Sequence, residues 1–363
     1  AERPDPVRRA SRVRGLTRSG HSLGRVLRTP MILAGLLLAS LFVAVPSYAD
    51  APAPGVANRA PGATHRVVGH GSPASCTAKA VRKAVAKGGL ITFDCGPDPV
   101  TIVMDKTAMV HNDAARKVVI DGGGLVTLSG GGKRRILYQN TCDQGLTWTT
   151  SHCQDQATPK LVLRNLTFTR GNSTASHEEG GGGGAVFVRG GRLTVVNSTF
   201  TRNRCDRTGP DLGGAAIRVL DQFRDQPVKV VRSTFTGGRC SNGAALSSIG
   251  VSWVVTDSVF RGNKAIGRGA NPAQSGTPGG GSGGAIYLDG NLFTLRLLRT
   301  TIEDNLAREG GGAVFFVSND RTGTLSIRDS TLRDNPSEGF ENYPGIFFLG
   351  RGEPRISGST VER

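Results

Sequence analysis

Apolar and polar positions alternate in short bursts through the second half of the chain, and the bursts recur with nearly the same letters. The phrase reads Leu-Val-Leu-Arg-Asn-Leu-Thr-Phe at 161–168 and Leu-Thr-Val-Val-Asn-Ser-Thr-Phe at 193–200. It returns at 228–235, 253–260, 295–302 and 325–332, and a last partial copy is Ser359-Thr360-Val361. A second phrase precedes most of these copies: Gly-Gly-Ala-Val-Phe-Val at 183–188, with counterparts at 213–219, 243–248, 283–288, 311–316 and 345–349. Period-two alternation over so few residues predicts strands rather than helices. Each repeat therefore holds three short strands, joined by a Gly-containing turn, a tight polar turn and a long variable loop. Strands that stack on their equivalents in the next repeat make a solenoid. The predicted fold class is all-β, a single-stranded right-handed parallel β-helix, the hand following the general rule for parallel connections.

Alternation also predicts the inside. Phe168, Phe200, Phe235, Phe260, Ile302 and Leu332 form one inward stack. Leu163, Val195, Val230, Val255, Leu297 and Ile327 form a second, and Val186, Ile217, Leu246, Ile286, Val314 and Ile346 a third. Aligning the third by its letters leaves one extra Ala in the 213–219 strand, read here as a bulge. The Thr-x-Thr pairs 167/169, 199/201 and 234/236 resemble an ice-binding ladder, but the pattern lapses at Val259/Arg261, and β-propensity accounts for the threonines.

The N-terminal part reads differently. Residues 31–45 are an apolar run of 15, shorter than the roughly 20 a spanning helix needs. Arginines precede it, and Ser47-Tyr48-Ala49 follows. Residues 1–49 are thus expected to be a signal peptide with an extended basic n-region, cut after Ala49, leaving no membrane segment. Residues 50–74, rich in Ala, Pro and Gly, read as a disordered lead-in, and the β-helix domain as 75–363. Ala78 to Ala86 is amphipathic and is expected to be a helix that caps the first coil, followed by strands at 90–94 and 100–104. The chain stops at Arg363 in mid-coil, so self-association through an uncapped C-terminal coil is an expectation.

The formal net charge is +17. Removing residues 1–49 takes away eight of 45 Lys/Arg and two of 28 Asp/Glu and leaves +11. Such a surface favours anionic partners, which for an exported protein means uronate-rich or cell-wall polysaccharide. The basic residues are scattered, without a run or interleaved aromatics, so nucleic acid is not expected. Six cysteines in an exported chain predict disulfides. Cys205 and Cys240 occupy the same phase of adjacent repeats, and stacked strands lie close enough for a bridge. Cys142 and Cys153 bracket one loop, which leaves Cys76 with Cys95. No Cys-x-x-Cys points to zinc.

The run from Cys76 through Ile120-Asp121-Gly122-Gly123-Gly124, Gly-Gly-Ala-Val-Phe-Val and Asn-Ser-Thr-Phe-Thr-Arg-Asn resembles secreted actinobacterial right-handed β-helix proteins of the pectin-lyase-like superfamily. It also resembles polymorphic outer-membrane repeats. The resemblance spans about 76–363 and implies fold more than activity, since that superfamily holds lyases, hydrolases, epimerases and non-catalytic surface proteins. It implies a cleft on the Gly-Gly-Ala strands, walled by the long loops.

Outward positions on those strands are Phe187, Arg218, Ser247, Tyr287, Phe315 and Phe347. Phe187, Tyr287, Phe315 and Phe347 are candidate sugar-stacking residues if the sheet is open, and covered side chains if the loops fold over it. Arg218 is the candidate base. Glu178, Glu179, Asp206 and Asp211, with His177 beside them, are candidate Ca²⁺ ligands. A bound Ca²⁺ would neutralise a uronate while Arg218 takes the neighbouring proton, in a scheme resembling pectate lyase. A hydrolase would need opposed carboxylates, for which Glu178 or Glu179 with Asp211 is the nominated pairing. The glycine run 180–184 has no following Gly-Lys-Ser/Thr and is not a phosphate loop. Two functions follow: a secreted protein that binds an anionic polysaccharide, with lyase-type cleavage if the groove is open, or a non-catalytic adhesin-like surface module.

Overall fold

The computed structural model describes residues 64–174, 176–177 and 180–363. The signal-peptide expectation, most of the lead-in, and Glu178 and Glu179 lie outside the described residues. Among the described residues every pairing of named strands is parallel, and the strands fall into sheets of seventeen, eight and three members. From Val186 on, each coil contributes one strand to the eight-stranded sheet and two to the seventeen-stranded one, as Val186–Arg189, Arg192–Val196 and Thr199–Thr201 illustrate, whereas Lys117–Ser129 and Lys160–Thr169 each run through both positions as one strand. The protein is a parallel β-helix; the three strands the phrases predict recur from Val186 on, and three coils add a fourth of two residues, at Arg239–Cys240, Lys264–Ala265 and Leu306–Ala307.

The inward stacks hold in register. Phe168, Phe200 and Phe235 pair directly, Phe235 pairs with Phe260, and the rings lie 4.7–4.9 Å apart at 6–7° between planes. Their spacing is that of neighbouring strands, so the offset of the aromatic column is set by the sheet itself. The other two columns are equally regular, from Leu163–Val195 to Leu297–Ile327 and from Val186–Ile217 to Val314–Ile346.

No bulge is present in the strand after Gly213. The amides of Gly183, Gly184, Ala185 and Val186 donate to the carbonyls of Gly213, Gly214, Ala215 and Ala216, and Ile217 sits beside Val186. Ala215 stands where the coil before has Gly184, so the two strands match residue for residue once the letters are shifted by one. The fixed glycine is the one at positive φ: Gly183, Gly214, Gly243, Gly283 and Gly311, at 64°, 75°, 47°, 69° and 66°. A Cβ on Gly214 would meet the Ile217 carbonyl oxygen, which explains why that corner is glycine.

The polar turn inside the main phrase uses the same conformation with side chains. Asn165, Asn197, Arg232, Asp257, Arg299 and Asp329 all have φ between 45° and 53°. The next residue is a buried Ser or Thr in five of these coils, and in the four that carry serine its hydroxyl accepts an amide from the coil before it. Ser198 N donates to Ser233 Oγ at 3.2 Å, Ser233 N to Ser258 Oγ at 3.1 Å and Thr300 N to Ser330 Oγ at 3.0 Å.

At the N-terminal edge the helix α1, Ala78–Lys87, buries Val81, Ala84 and Val85, with the Thr77 side chain accepting from the Ala80 amide. It packs against the strands Ala108–Val110 and His65–Val68. The lead-in expected to be disordered through 74 is ordered from Thr64 onward, because His65–Val68 adds as a parallel strand to Gly89–Phe93 and Pro73–Ser75 forms a 3-10 turn. The bridges are Cys76–Cys95, Cys142–Cys153 and Cys205–Cys240, with Cα separations of 5.6, 4.9 and 4.7 Å. Those are the expected pairings, and the last joins successive coils.

Candidate functional site

The outer face of the eight-stranded sheet carries one continuous row: Tyr138, Phe187, Arg218, Ser247, Tyr287, Phe315 and Phe347, each beside the next in register. The row points away from the core, as alternation requires. It does not point into water. Phe187 and Tyr287 are 0 % exposed, and Arg218 and Phe315 are 3 % exposed. Only Phe347 is half-buried. The rings stack on one another, Tyr138 on Phe187 at 5.3 Å, Tyr287 on Phe315 at 5.0 Å and Phe315 on Phe347 at 5.3 Å, while Phe340 meets Phe347 edge-on. Of the two alternatives for this row, burial matches the covered one for Phe187, Tyr287 and Phe315, whose faces meet neighbouring rings and loops.

The glycine run provides part of the cover. The Gly182 backbone lies against the Arg218 side chain, where a Cβ would come within 2.6 Å of Cδ. Arg135 secures the same segment. Its guanidinium donates to the Gly182 and Gly183 carbonyls at 2.9 and 3.1 Å and lies over the Tyr138 and Phe187 rings. Only glycine permits a backbone this close to a sheet face.

Arg218 separates the two aromatic stacks. Its Nη1 donates to Ser247 Oγ at 3.0 Å, and its Nε has no hydrogen-bond partner. Burial pulls its pKa down to about 10, against the pull of Tyr287 and Asp211. A guanidinium that stays charged at neutral pH and is shut away from solvent cannot meet a polymer without movement of the loops.

Beside it lies a groove of about 440 Å³, lined by Asp211, Asn271, Pro272, Asp289, Phe315 and Asn319 among others. Asp211 and Asp289 share partners there. Asn271 Nδ2 lies 2.6 Å from Asp211 Oδ1 and 2.9 Å from both Asp289 Oδ2 and the Tyr287 hydroxyl. The Tyr287 hydroxyl donates toward Asp289 at 3.2 Å and lies 3.4 Å from Asp211. Asp289 also accepts from the Gly290 amide at 2.6 Å and from Asn319 at 3.1 Å. Burial raises the Asp289 pKa, the Gly290, Tyr287 and Asn319 hydrogen bonds oppose that, and Asp211 adds to the rise. Two carboxylates tied to one amide and one phenol are a hydrogen-bonded cluster, not acids facing each other across a gap for water.

The other nominated residues do not join this cluster. Asp206 is half-buried with Oδ2 lacking a hydrogen-bond partner; burial raises its pKa, and the neighbouring charges that oppose this are His177 and Arg135. Asp206 and Asp211 thus answer to different neighbours. Among the described residues no three His, Cys, Asp or Glu side chains gather as a metal site. Of the four expected calcium ligands, Glu178 and Glu179 lie outside the described residues, and Asp206 and Asp211 are the two that can be placed. Asp289 and Asn271 are the site residues that sequence reasoning missed. Asp289 follows Gly-Gly-Ala-Ile-Tyr-Leu directly, at the next outward position after Tyr287, so alternation could have nominated it.

Among the described residues no helix is long and apolar enough to cross a membrane. Residues 257–289, one coil running from the Asp257 turn to Asp289, match the family model of the Chlamydia polymorphic membrane protein repeat. No curated protein and no solved structure matches the chain. The protein is a β-helix repeat protein, similar over that one coil to the polymorphic membrane protein repeat.

Proposed function

We propose that this protein is an extracellular, surface-acting β-helix scaffold that binds an anionic polysaccharide and does not cleave it. The observation that carries the reading is the closed sheet face. Arg218 and three of the four nominated rings are buried, so the face where β-elimination would be run offers a polymer neither a base nor a stacking platform. Three disulfides suit an oxidising compartment, and the net charge of +11 from residue 50 onward suits an anionic partner. The similarity of 257–289 to a surface-protein repeat supports a second reading, an adhesin-like module for a protein partner.

The test is to incubate residues 50–363 with pectate, alginate, hyaluronan and wall polymers, with and without Ca²⁺. Absorbance near 232 nm reads new double bonds, and co-sedimentation reads binding. Binding without absorbance is expected. A Ca²⁺-dependent rise that Arg218→Met abolishes would restore the lyase scheme and with it the calcium expectation. Absence of binding to every polymer would leave the protein-partner reading.

A further inference from the structure

The corner that follows the Phe column gathers basic side chains that are far apart in sequence. Arg170 and Arg202 hold this corner in successive coils, with φ of 50° and 53°, and the Arg170 amide donates to Thr201 O. Arg204 lies two residues further on, and Lys133 comes from the coil before. With Gly131 and Gly132 these four line a groove of about 440 Å³. All four are exposed. Arg204 Nη2 and Asn172 Nδ2 both donate to the Gly132 carbonyl, and a side chain on Gly132 would lie 3.8 Å from guanidinium nitrogens of both Arg170 and Arg204. The guanidinium groups thus converge on a floor made of glycine backbone. The stripe continues along the axis, since Arg204 bridges to the exposed Arg239, and Arg239 pairs with Lys264.

Among the described residues none of Lys133, Arg170, Arg202 and Arg204 has a carboxylate within ion-pair distance, although ten such pairs occur elsewhere. The same edge is treated differently further along. The corner passes through Gly237 and Gly262 to Asp304 and Asp334, and arginines there are matched: Arg261 with Asp304 at 2.9 Å and Glu303 at 3.2 Å, Arg333 with Glu303 at 2.6 Å. Like charges stacked on adjacent strands repel, and coils 4.7–4.9 Å apart give them no distance to relax. An unmatched row of this kind calls for counter-charge from outside.

We infer that the Lys133–Arg170–Arg202–Arg204 groove is the binding site for an anionic polysaccharide, which lies along the helix axis with its oxyanions on the guanidinium groups. Guanidinium pairs bidentately with carboxylate or sulfate oxyanions, and a row of them one coil apart meets a charged group repeating along a chain. This inference rests on the polysaccharide reading above and gives it a place.

The test compares wild-type 50–363 with a groove variant and a control of equal charge. The groove variant is Arg170→Asn, Arg202→Asn and Arg204→Gln; Asn165 and Asn197 already adopt positive φ in this fold, so the corner accepts asparagine. The control is Lys79→Gln, Lys83→Gln and Lys87→Gln, three exposed lysines of α1. Binding to polygalacturonate, dextran sulfate, neutral dextran and a single-stranded DNA is measured at low and at high ionic strength. Thermal melts confirm that both variants fold. The groove variant is expected to lose about tenfold or more in affinity and most of the salt dependence, with the control close to wild type. The polygalacturonate and dextran sulfate arms separate carboxylate from sulfate as the favoured oxyanion. If wild type binds a polymer and the two variants weaken equally, this site is wrong and the polysaccharide reading survives. If wild type binds neither polysaccharide, both fall. DNA bound more tightly than either would overturn the class of partner.

Discussion

Asp289 is the residue where structure and chemistry are most at odds. Its carboxylate accepts from Tyr287, Asn319 and the Gly290 amide, yet burial still raises its pKa, with Asp211 acting in the same direction. A carboxyl whose folded pKa is raised contributes stability that is fully present below the unfolded value, about 4, and is lost as pH rises through the folded value. Ionised Asp289 therefore weakens the fold at neutral pH. Asp289→Asn keeps the shape and removes the charge. Urea midpoints of wild type and variant between pH 4 and 7 are expected to diverge, with the variant gaining on wild type as pH rises. A constant difference would mean that hydrogen bonds to the ionised form balance its burial, and a variant that loses ground as pH rises would mean that they outweigh it.

Within a coil, the element that fixes the turn after the Phe column is a buried asparagine ladder. Asn263 donates to Asn305 Oδ1 at 2.8 Å, and Asn305 donates to Asn335 Oδ1 at 2.9 Å. The same amide groups reach the Phe235, Phe260 and Ile302 carbonyls of the preceding coils. Asn305→Ala would remove the acceptor of the buried Asn263 backbone amide, leaving it unsatisfied at about 1–3 kcal/mol, and would also delete the side-chain bonds to Asn263 and the Phe260 carbonyl. A loss of roughly 3 kcal/mol is expected by denaturant unfolding, against less than about 0.5 kcal/mol for the exposed Arg296→Gln. Equal effects would show that the ladder adds nothing beyond surface chemistry. These asparagines were readable in the letters: Asn203, Asn263, Asn305 and Asn335 each stand three residues after a column residue. Apolar alternation, which located the columns and their register, passes over them because it does not register a polar residue that faces inward. At 213–219 the match of Gly-Gly-Ala to Gly-Gly-Ala predicts a bulge because it hides the substitution of Ala215 for Gly184. The candidate site was half legible for a related reason. Alternation told which side chains leave the core, placing Phe187, Arg218, Tyr287 and Phe315 in one row. What covers that row comes from loops of no period, and the gathering of Arg170, Arg202 and Arg204 appears only when coils are stacked.

Across the whole β-helix, each coil touches its neighbours and little else, so stability is close to a sum of coil and interface terms. The covalent ties are not evenly placed. All three disulfides lie between Cys76 and Cys240, together with the helix α1, while the coils from Ser241 onward carry no covalent tie and are held by packing, ladders and ion pairs. The edge strand Arg355–Ser357 is exposed along its length. A disulfide stabilises chiefly by restricting the unfolded chain, typically by about 2–4 kcal/mol, and in a one-dimensional stack it does so for its own segment. Native-state hydrogen exchange should therefore be graded. Amides of Phe168, Phe200 and Phe235 are expected to exchange only through the most global opening, and those of Ile327 and Leu332 through a smaller one of lower free energy. Opening both ends of the Cys205–Cys240 bridge with Cys205→Ala and Cys240→Ala should lower protection around 200–240 and leave 325–332 nearly unchanged. Uniform protection from 118 to 332, or a loss at 325–332 equal to that at 200–240, would show a molecule that unfolds as one cooperative unit and would remove the coil-by-coil account.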